Sequence, residues 1–277
     1  MTDRNAQSVP QPRARISPHP VSAGARPPAP KVRRKAASRL VQAAGTNASM
    51  IPVCPATAGF PVIAMATSVG GLEALSVILG GLPAEFPAAI AIVMHLAPDH
   101  PSILAEILSR RTQLLVRQAH TGDVLCPSSV FVAPPNHHLF VSPSGRLKLS
   151  SSSAVKVHYA RPSAEPLFAS VAEVYGQNAI AVVLTGGDGD GSFGVQIIKD
   201  KGGLVIAQDR PTSKDFSMPE TSIQTGDVDF ILPLDGIAAK LIELVGAGRG
   251  TRPAPGPAKF VSRPPAAGAR IPLIKLR

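Results

Sequence analysis

Between about residues 60 and 246 the apolar positions gather in short clusters with a clear rhythm. Phe60 to Ala66 is an apolar run, followed by Thr67-Ser68-Val69-Gly70-Gly71 and then by Leu72, Leu75, Ile78 and Leu79 at helical spacing. That pattern predicts strand, tight turn and helix. Ala88 to Met94 is apolar without alternation, as in a strand buried on both faces, and His95 stands where it stops. Ile103, Leu104, Ile107 and Leu108 mark the next helix. The rhythm returns with Ala179 to Leu184, the loop Thr185 to Gly191, a helix through Val195, Ile197 and Ile198, strands at Leu204 to Ala207 and Val228 to Leu232, and a closing helix from Asp235 to Val245. Strands alternating with helices predict an α/β fold, a doubly wound and mainly parallel sheet flanked by helices. Between Leu114 and Leu149 prolines punctuate short strands at Val130 to Ala133, Leu139 to Val141 and Leu147 to Leu149, which read as a small antiparallel hairpin region.

Composition sharpens the boundaries. The 277 residues carry +10 net, distributed as +8 over residues 1–59, −5 over 60–246 and +7 over 247–277. The two ends are rich in proline and arginine and lack apolar period, so they are expected to be disordered basic tails around one domain at 60–246. Because the basic excess lies in the tails, a specific nucleic-acid reader is not expected. No apolar stretch approaches the ~20 residues of a membrane span. Met1 to Ser22 has arginines but no apolar centre, so neither membrane insertion nor secretion is expected, and a cytoplasmic location is. Cys54 and Cys126 are expected to be reduced thiols.

In an open parallel sheet, function collects beyond the carboxyl ends of the strands. Three such ends carry reactive side chains: Ser68, His95 and the pair Asp188 and Asp190. Each has a plain structural alternative, since Ser68 or Asp190 suits a helix N-cap and a lone histidine is commonly structural. Together they supply the nucleophile, imidazole and carboxylate of an acyl-transfer site. Ala66-Thr67-Ser68-Val69-Gly70 has the small residues of a nucleophile elbow, and amides at the following helix start can face an oxyanion. Two rival motifs fit poorly. Ala66-x-Ser68-x-x-Gly71 is a degenerate dinucleotide turn, but His95 ends the second strand where an acidic residue would bind ribose. Asp188-x-Asp190-x-Ser192 opens like a calcium loop, yet Phe193 holds the glycine place and Lys199 that of the final glutamate.

Several runs occur in a familiar order: Ala66-Thr67-Ser68-Val69-Gly70-Gly71-Leu72-Glu73-Ala74-Leu75, Val93-Met94-His95-Leu96-Ala97-Pro98, Val132-Ala133-Pro134-Pro135, Arg161-Pro162-Ser163, Leu184-Thr185-Gly186-Gly187-Asp188-Gly189-Asp190-Gly191 and Met218-Pro219. Over nearly all of residues 60–246 the sequence resembles the catalytic domain of the CheB family, the protein-glutamate methylesterases of bacterial chemotaxis. The resemblance implies a serine hydrolase that demethylates glutamate γ-methyl esters on chemoreceptors, with glutamine deamidation as an accompanying activity and no cofactor or metal. It maps the catalytic triad onto Ser68, His95 and Asp190, with Asp190 rather than Asp188 as the carboxylate, and the oxyanion amides onto Val69 and Gly187. The other histidines within residues 60–246, His100, His120, His137, His138 and His158, are not expected to serve as the base.

The chain also departs from the family pattern. Ala66 and Val69 replace a Gly and a Thr in the elbow, and Gly187 and Asp188 replace a Met and a Gly in the last loop, which becomes more acidic. The family often carries an N-terminal receiver domain. Residues 1–59 are too short and too rich in Pro and Arg for one, so control by an aspartyl phosphate within this chain is not expected. Two other readings stay open: a noncatalytic signalling module whose tails bind an acidic partner, and an esterase acting on a nonreceptor substrate. The partner expected on the resemblance is a methyl-accepting chemoreceptor or a related signalling protein.

Overall fold

The structure, a computed structural model, describes residues 59–96, 101–157 and 160–246. The expected tails lie outside the described residues except for Gly59, as do His100 and His158. Nine strands and six α-helices follow in the described chain: β1 (Val62–Thr67), α1 (Gly71–Gly80), β2 (Ala89–Met94), α2 (Leu104–Ser109), β3 (Leu115–Gln118), β4 (Ser129–Val132), β5 (Leu139–Val141), β6 (Leu147–Leu149), α3 (Ala164–Tyr175), β7 (Ala179–Val183), α4 (Ser192–Asp200), β8 (Leu204–Gln208), α5 (Ser217–Gln224), β9 (Phe230–Leu232) and α6 (Leu234–Gly246). Seven strands form a parallel sheet in the order β3-β4-β2-β1-β7-β8-β9, and β5 and β6 pair antiparallel beside it.

The fold class read from the sequence is the one observed, with one internal difference. The run at Val130 to Ala133 is not part of a hairpin: β4 lies between β2 and β3, parallel to both. All four of its residues are buried, as expected for a strand covered on both faces, and the flanking Pro127 and Pro134 delimit the strand instead of turning it back. Only Leu139 to Val141 and Leu147 to Leu149 pair antiparallel as expected.

Alternation along β1 divides the core in two. Val62, Ala64 and Ala66 join α3 and α4 residues such as Leu167, Phe168, Val171 and Val195. Ile63 and Met65 join Leu75, Ile78 and Leu79 of α1, Leu104 and Leu108 of α2, and Ile237 and Leu241 of α6. The alanines on the first face leave room for the aromatic and branched side chains of α3 close against the sheet. Burying each large side chain contributes about 1.5–3 kcal/mol. Cys126 is buried and disulfide-bonded, which corrects the expectation of a free thiol there.

From β1 the chain winds outward through β2, then returns to the opposite flank of β1 as β7 and continues to β8 and β9. The winding direction changes between β1 and β7, and a crevice opens at such a switch point, at the carboxyl ends of the strands. Register levels those ends, with Thr67 opposite Met94 and Ala66 opposite Val183. The residues that follow the three strands therefore emerge side by side.

Candidate active site

Ser68 follows β1 without a spacer. Its N–H donates to the Thr185 carbonyl at 3.0 Å, and the Gly71 N–H donates back to the Ser68 carbonyl at 2.9 Å. Gly70 turns the chain with φ of +82°, a conformation in which glycine carries no side-chain penalty. Helix α1 then starts at Gly71 with no side-chain cap, so Ser68 is not its N-cap. The loop after β7 closes against the serine at Gly186, where a Cβ would lie 2.1 Å from Met218 Sδ and 2.9 Å from Ser68 Cβ. Thr185 fixes this junction: its Oγ1 donates to the Val69 carbonyl at 2.8 Å and accepts the Asp215 N–H at 3.0 Å.

His95 follows β2 and extends the ladder by one bond, its N–H donating to the Thr67 carbonyl at 3.1 Å. Its Nε2 lies 2.8 Å from Asp190 Oδ2. Asp190 is fully buried and does not cap α4, whose N-cap is Gly191. It receives the Ser163 hydroxyl on Oδ1 and the Ala164 N–H on Oδ2, each at 2.6 Å. Its charge thus sits at the N-terminus of α3, where the helix dipole and free amides favour a carboxylate. The arrangement is reciprocal. From the first turn of α3, buried Glu165 accepts the N–H groups of Gly191 at 3.0 Å, Phe193 at 3.1 Å and Gly194, and so caps α4.

Behind Asp190, buried His138 donates from Nε2 to the Val155 carbonyl at 2.9 Å and accepts the Ser163 N–H on Nδ1 at 3.3 Å. Burial pushes its pKa down, and the Arg161 charge adds to this against a weaker upward pull from Asp190. It is a neutral support for Ser163, in keeping with a hydrogen-bonding role. His137 bonds the Ser150 carbonyl through Nδ1 at 2.6 Å, and His120 is exposed.

The structure thus brings His95 and Asp190 into direct contact beside the Ser68 elbow. Among the described residues, no hydrogen bond joins Ser68 Oγ to His95, and the N–H groups of Val69 and Gly187 donate to no protein acceptor. Asp188, which the sequence placed outside the triad, meets the second ring nitrogen, with its Oδ2 3.2 Å from His95 Nδ1. Burial lowers the pKa of the ring, but hydrogen bonds to Asp188 and Asp190 and their charges outweigh this and raise it to about 9. No group of three or more His, Cys, Asp or Glu among the described residues is arranged to hold a metal ion. A cleft of about 500 Å³ opens beside the serine, lined by Ser68, Gly70, Leu72, Met94, Arg111 and Lys214, with Lys214 Nζ 2.7 Å from Glu73 Oε2 across it. Ser163, Glu165 and Thr185 were not singled out as supports from sequence. Only Ser163 carried a signal, an N-cap residue type directly before the first turn of α3.

Sequence comparison places the same stretch in a known family: the CheB methylesterase family matches residues 63–241. The chain belongs to this family. It is 42% identical over 183 residues to a protein-glutamate methylesterase/protein-glutamine glutaminase of Anaeromyxobacter dehalogenans, covering 66% of this chain and 53% of that protein. It is 37% identical to the protein-glutamate methylesterase FrzG of Myxococcus xanthus, covering 67% and 55%. The CheB methylesterase catalytic domain of Thermotoga maritima superposes with a TM-score of 0.64 at 35% identity, covering 67% of this chain and 99% of that domain. The chain spans about half the length of the curated relatives it matches. Among the described residues no helix is long and apolar enough to cross a membrane.

Proposed function

We propose that residues 60–246 form a serine hydrolase domain that demethylates glutamate γ-methyl esters on chemoreceptors or related signalling proteins, and deamidates glutamine side chains by the same route. The observation that carries this reading is the contact of His95 Nε2 with Asp190 Oδ2, 2.8 Å, beside the Ser68 elbow, in a chain of the CheB methylesterase family. In the proposed reaction Asp190 accepts a hydrogen bond from Nε2–H and orients the ring, leaving Nδ1 to take the Ser68 proton as Oγ attacks the ester carbonyl. The Val69 and Gly187 amides receive the oxyanion. The proton on Nδ1 passes to the leaving methoxide, methanol departs, and water repeats the sequence on the acyl-enzyme to release the γ-carboxylate.

The test is methanol release from a receptor fragment methylated on glutamate. Ser68→Ala is expected to abolish release while circular dichroism and the unfolding midpoint stay as in the wild type. Hydrolysis by Ser68→Ala at the wild-type rate would overturn the assignment of the nucleophile. Absence of methanol from the wild type at every pH, with a substrate that a known methylesterase does cleave, would favour the signalling module or a different ester.

A further inference from the structure

An imidazole has two nitrogens, and a serine base needs one of them unprotonated and open to the hydroxyl. Here both face carboxylates: Nε2 is 2.8 Å from Asp190 and Nδ1 is 3.2 Å from Asp188. With both nitrogens donating, the ring is an imidazolium and has no lone pair for the Ser68 proton. The two carboxylates differ in exposure. Asp190 has a side chain with no exposed surface and is held by Ser163 and Ala164. Asp188 has a side-chain exposure of 36%, and its Oδ1 accepts the Asp190 N–H at 3.0 Å within its own loop.

We propose that Asp188 is a positioning residue that clamps His95 in a resting state, and that Ser68 is activated only after this carboxylate leaves Nδ1. The proposal rests on the reading of Ser68, His95 and Asp190 as a hydrolytic triad. On release the Nδ1 proton passes to solvent, Nε2–H stays on Asp190, and the freed Nδ1 lone pair accepts the proton of Ser68 Oγ as the oxygen bonds the ester carbon. Asp188 turns into water, and its exposed side chain gives it the path.

The charged groups nearest the ring, both carboxylates, set the direction of the pH effect. Asp188 and Asp190 face it directly, and Asp215 stands close enough to Asp188 to oppose its charge. His138 lies beyond Asp190 in neutral form, and Lys214, paired with Glu73, and Arg111 line the cleft on the side of Ser68. With the ring pKa near 9, only a small fraction of His95 is neutral at pH 7, and activity rises as pH climbs through that value. Removing one adjacent carboxylate charge lowers a histidine pKa by about one unit or more.

Two variants of the full chain test the clamp. Asp188→Asn removes the charge while its side-chain oxygen still accepts the Asp190 N–H, and Asp188→Gly removes the side chain altogether. The measurements are kcat/KM for methanol release from a glutamate-methylated receptor fragment between pH 5.5 and 10, and the NMR titration of the His95 ring. In both variants the acidic limb is expected to move down by about one pH unit, with a roughly tenfold higher rate at pH 7 and a plateau close to that of the wild type. The His95 titration is expected to fall by the same amount. An active wild type whose variants keep its limb and ring pKa overturns the clamp, and so does a plateau loss as large as that of Asp190→Asn. If the wild type releases no methanol, the methylesterase reading fails, while the ring titration still decides the clamp: a fall in Asp188→Asn supports it and an unchanged value overturns it.

Discussion

Asp188 and Asp190 are separated by one glycine and meet the same ring, yet their other partners give them different parts. Asp190 is buried against the α3 N-terminus, so Asp190→Asn puts an amide where two donors and an imidazole N–H converge. That variant is expected to lower kcat by about 10³-fold or more with little change in KM, because the wrong imidazole tautomer is then favoured. Stability offers an independent reading of the same ring. Its folded pKa, about 9, is raised above the ordinary 6.5, so its stabilising contribution is complete below about 6.5 and is lost as pH rises through 9. The expected change is on the order of 3 kcal/mol in urea unfolding between those limits, and His95→Gln should flatten that slope. The places of Ser68 and His95 directly after β1 and β2, and of Asp190 in the loop after β7, were legible in the sequence because the apolar pattern of those strands is plain. The contact of Asp188 was not legible, since it depends on how a glycine-flanked loop aims one side chain and not on spacing.

At the scale of elements, the exchange of carboxylates between α3 and α4 is the feature that periodicity concealed. Glu165 and the amides it caps are separated by 26 to 29 residues, and no local pattern links them. Glu165→Gln turns an NH₂ toward one of the three N–H groups that the carboxylate accepts and is expected to cost about 1–3 kcal/mol in unfolding free energy. It should also lower kcat, because the displaced start of α4 carries Asp190 with it. Wild-type stability together with wild-type turnover in this variant would show that the cap is idle. Helix α3 itself was missed although Leu167, Phe168, Val171 and Tyr175 follow a helical period. Pro166 stands in the first turn, where its missing N–H breaks no helical bond. Strand β3 was hidden for a different reason. It sits at an edge of the sheet with Leu115 exposed, so its apolar signal is weak, whereas the central strands β1, β2 and β7 were unmistakable.

For the whole molecule, charge is distributed unevenly along the chain. Segments 1–59 and 247–277 carry +8 and +7, and the intervening region carries −5. A chain cut to residues 59–249 is expected to keep its unfolding midpoint and its rate on a soluble methylated fragment. Its retention on anionic vesicles or acidic peptides should fall, together with the salt dependence of that binding, since exposed charges are screened over ~8 Å at physiological ionic strength. Loss of turnover on trimming would instead tie the flanking segments to the chemistry. The reciprocal caps carry one more consequence, for the life of the polypeptide before it is finished. Ser68 and His95 emerge from the ribosome long before Asp190, and Asp190 reaches the imidazole by way of a loop pinned to α3. A nascent or half-opened chain therefore holds a serine and a histidine without their orienting carboxylate. On the proposed reading such a chain is expected to be far slower toward esters until the two halves of the sheet have closed around their switch point.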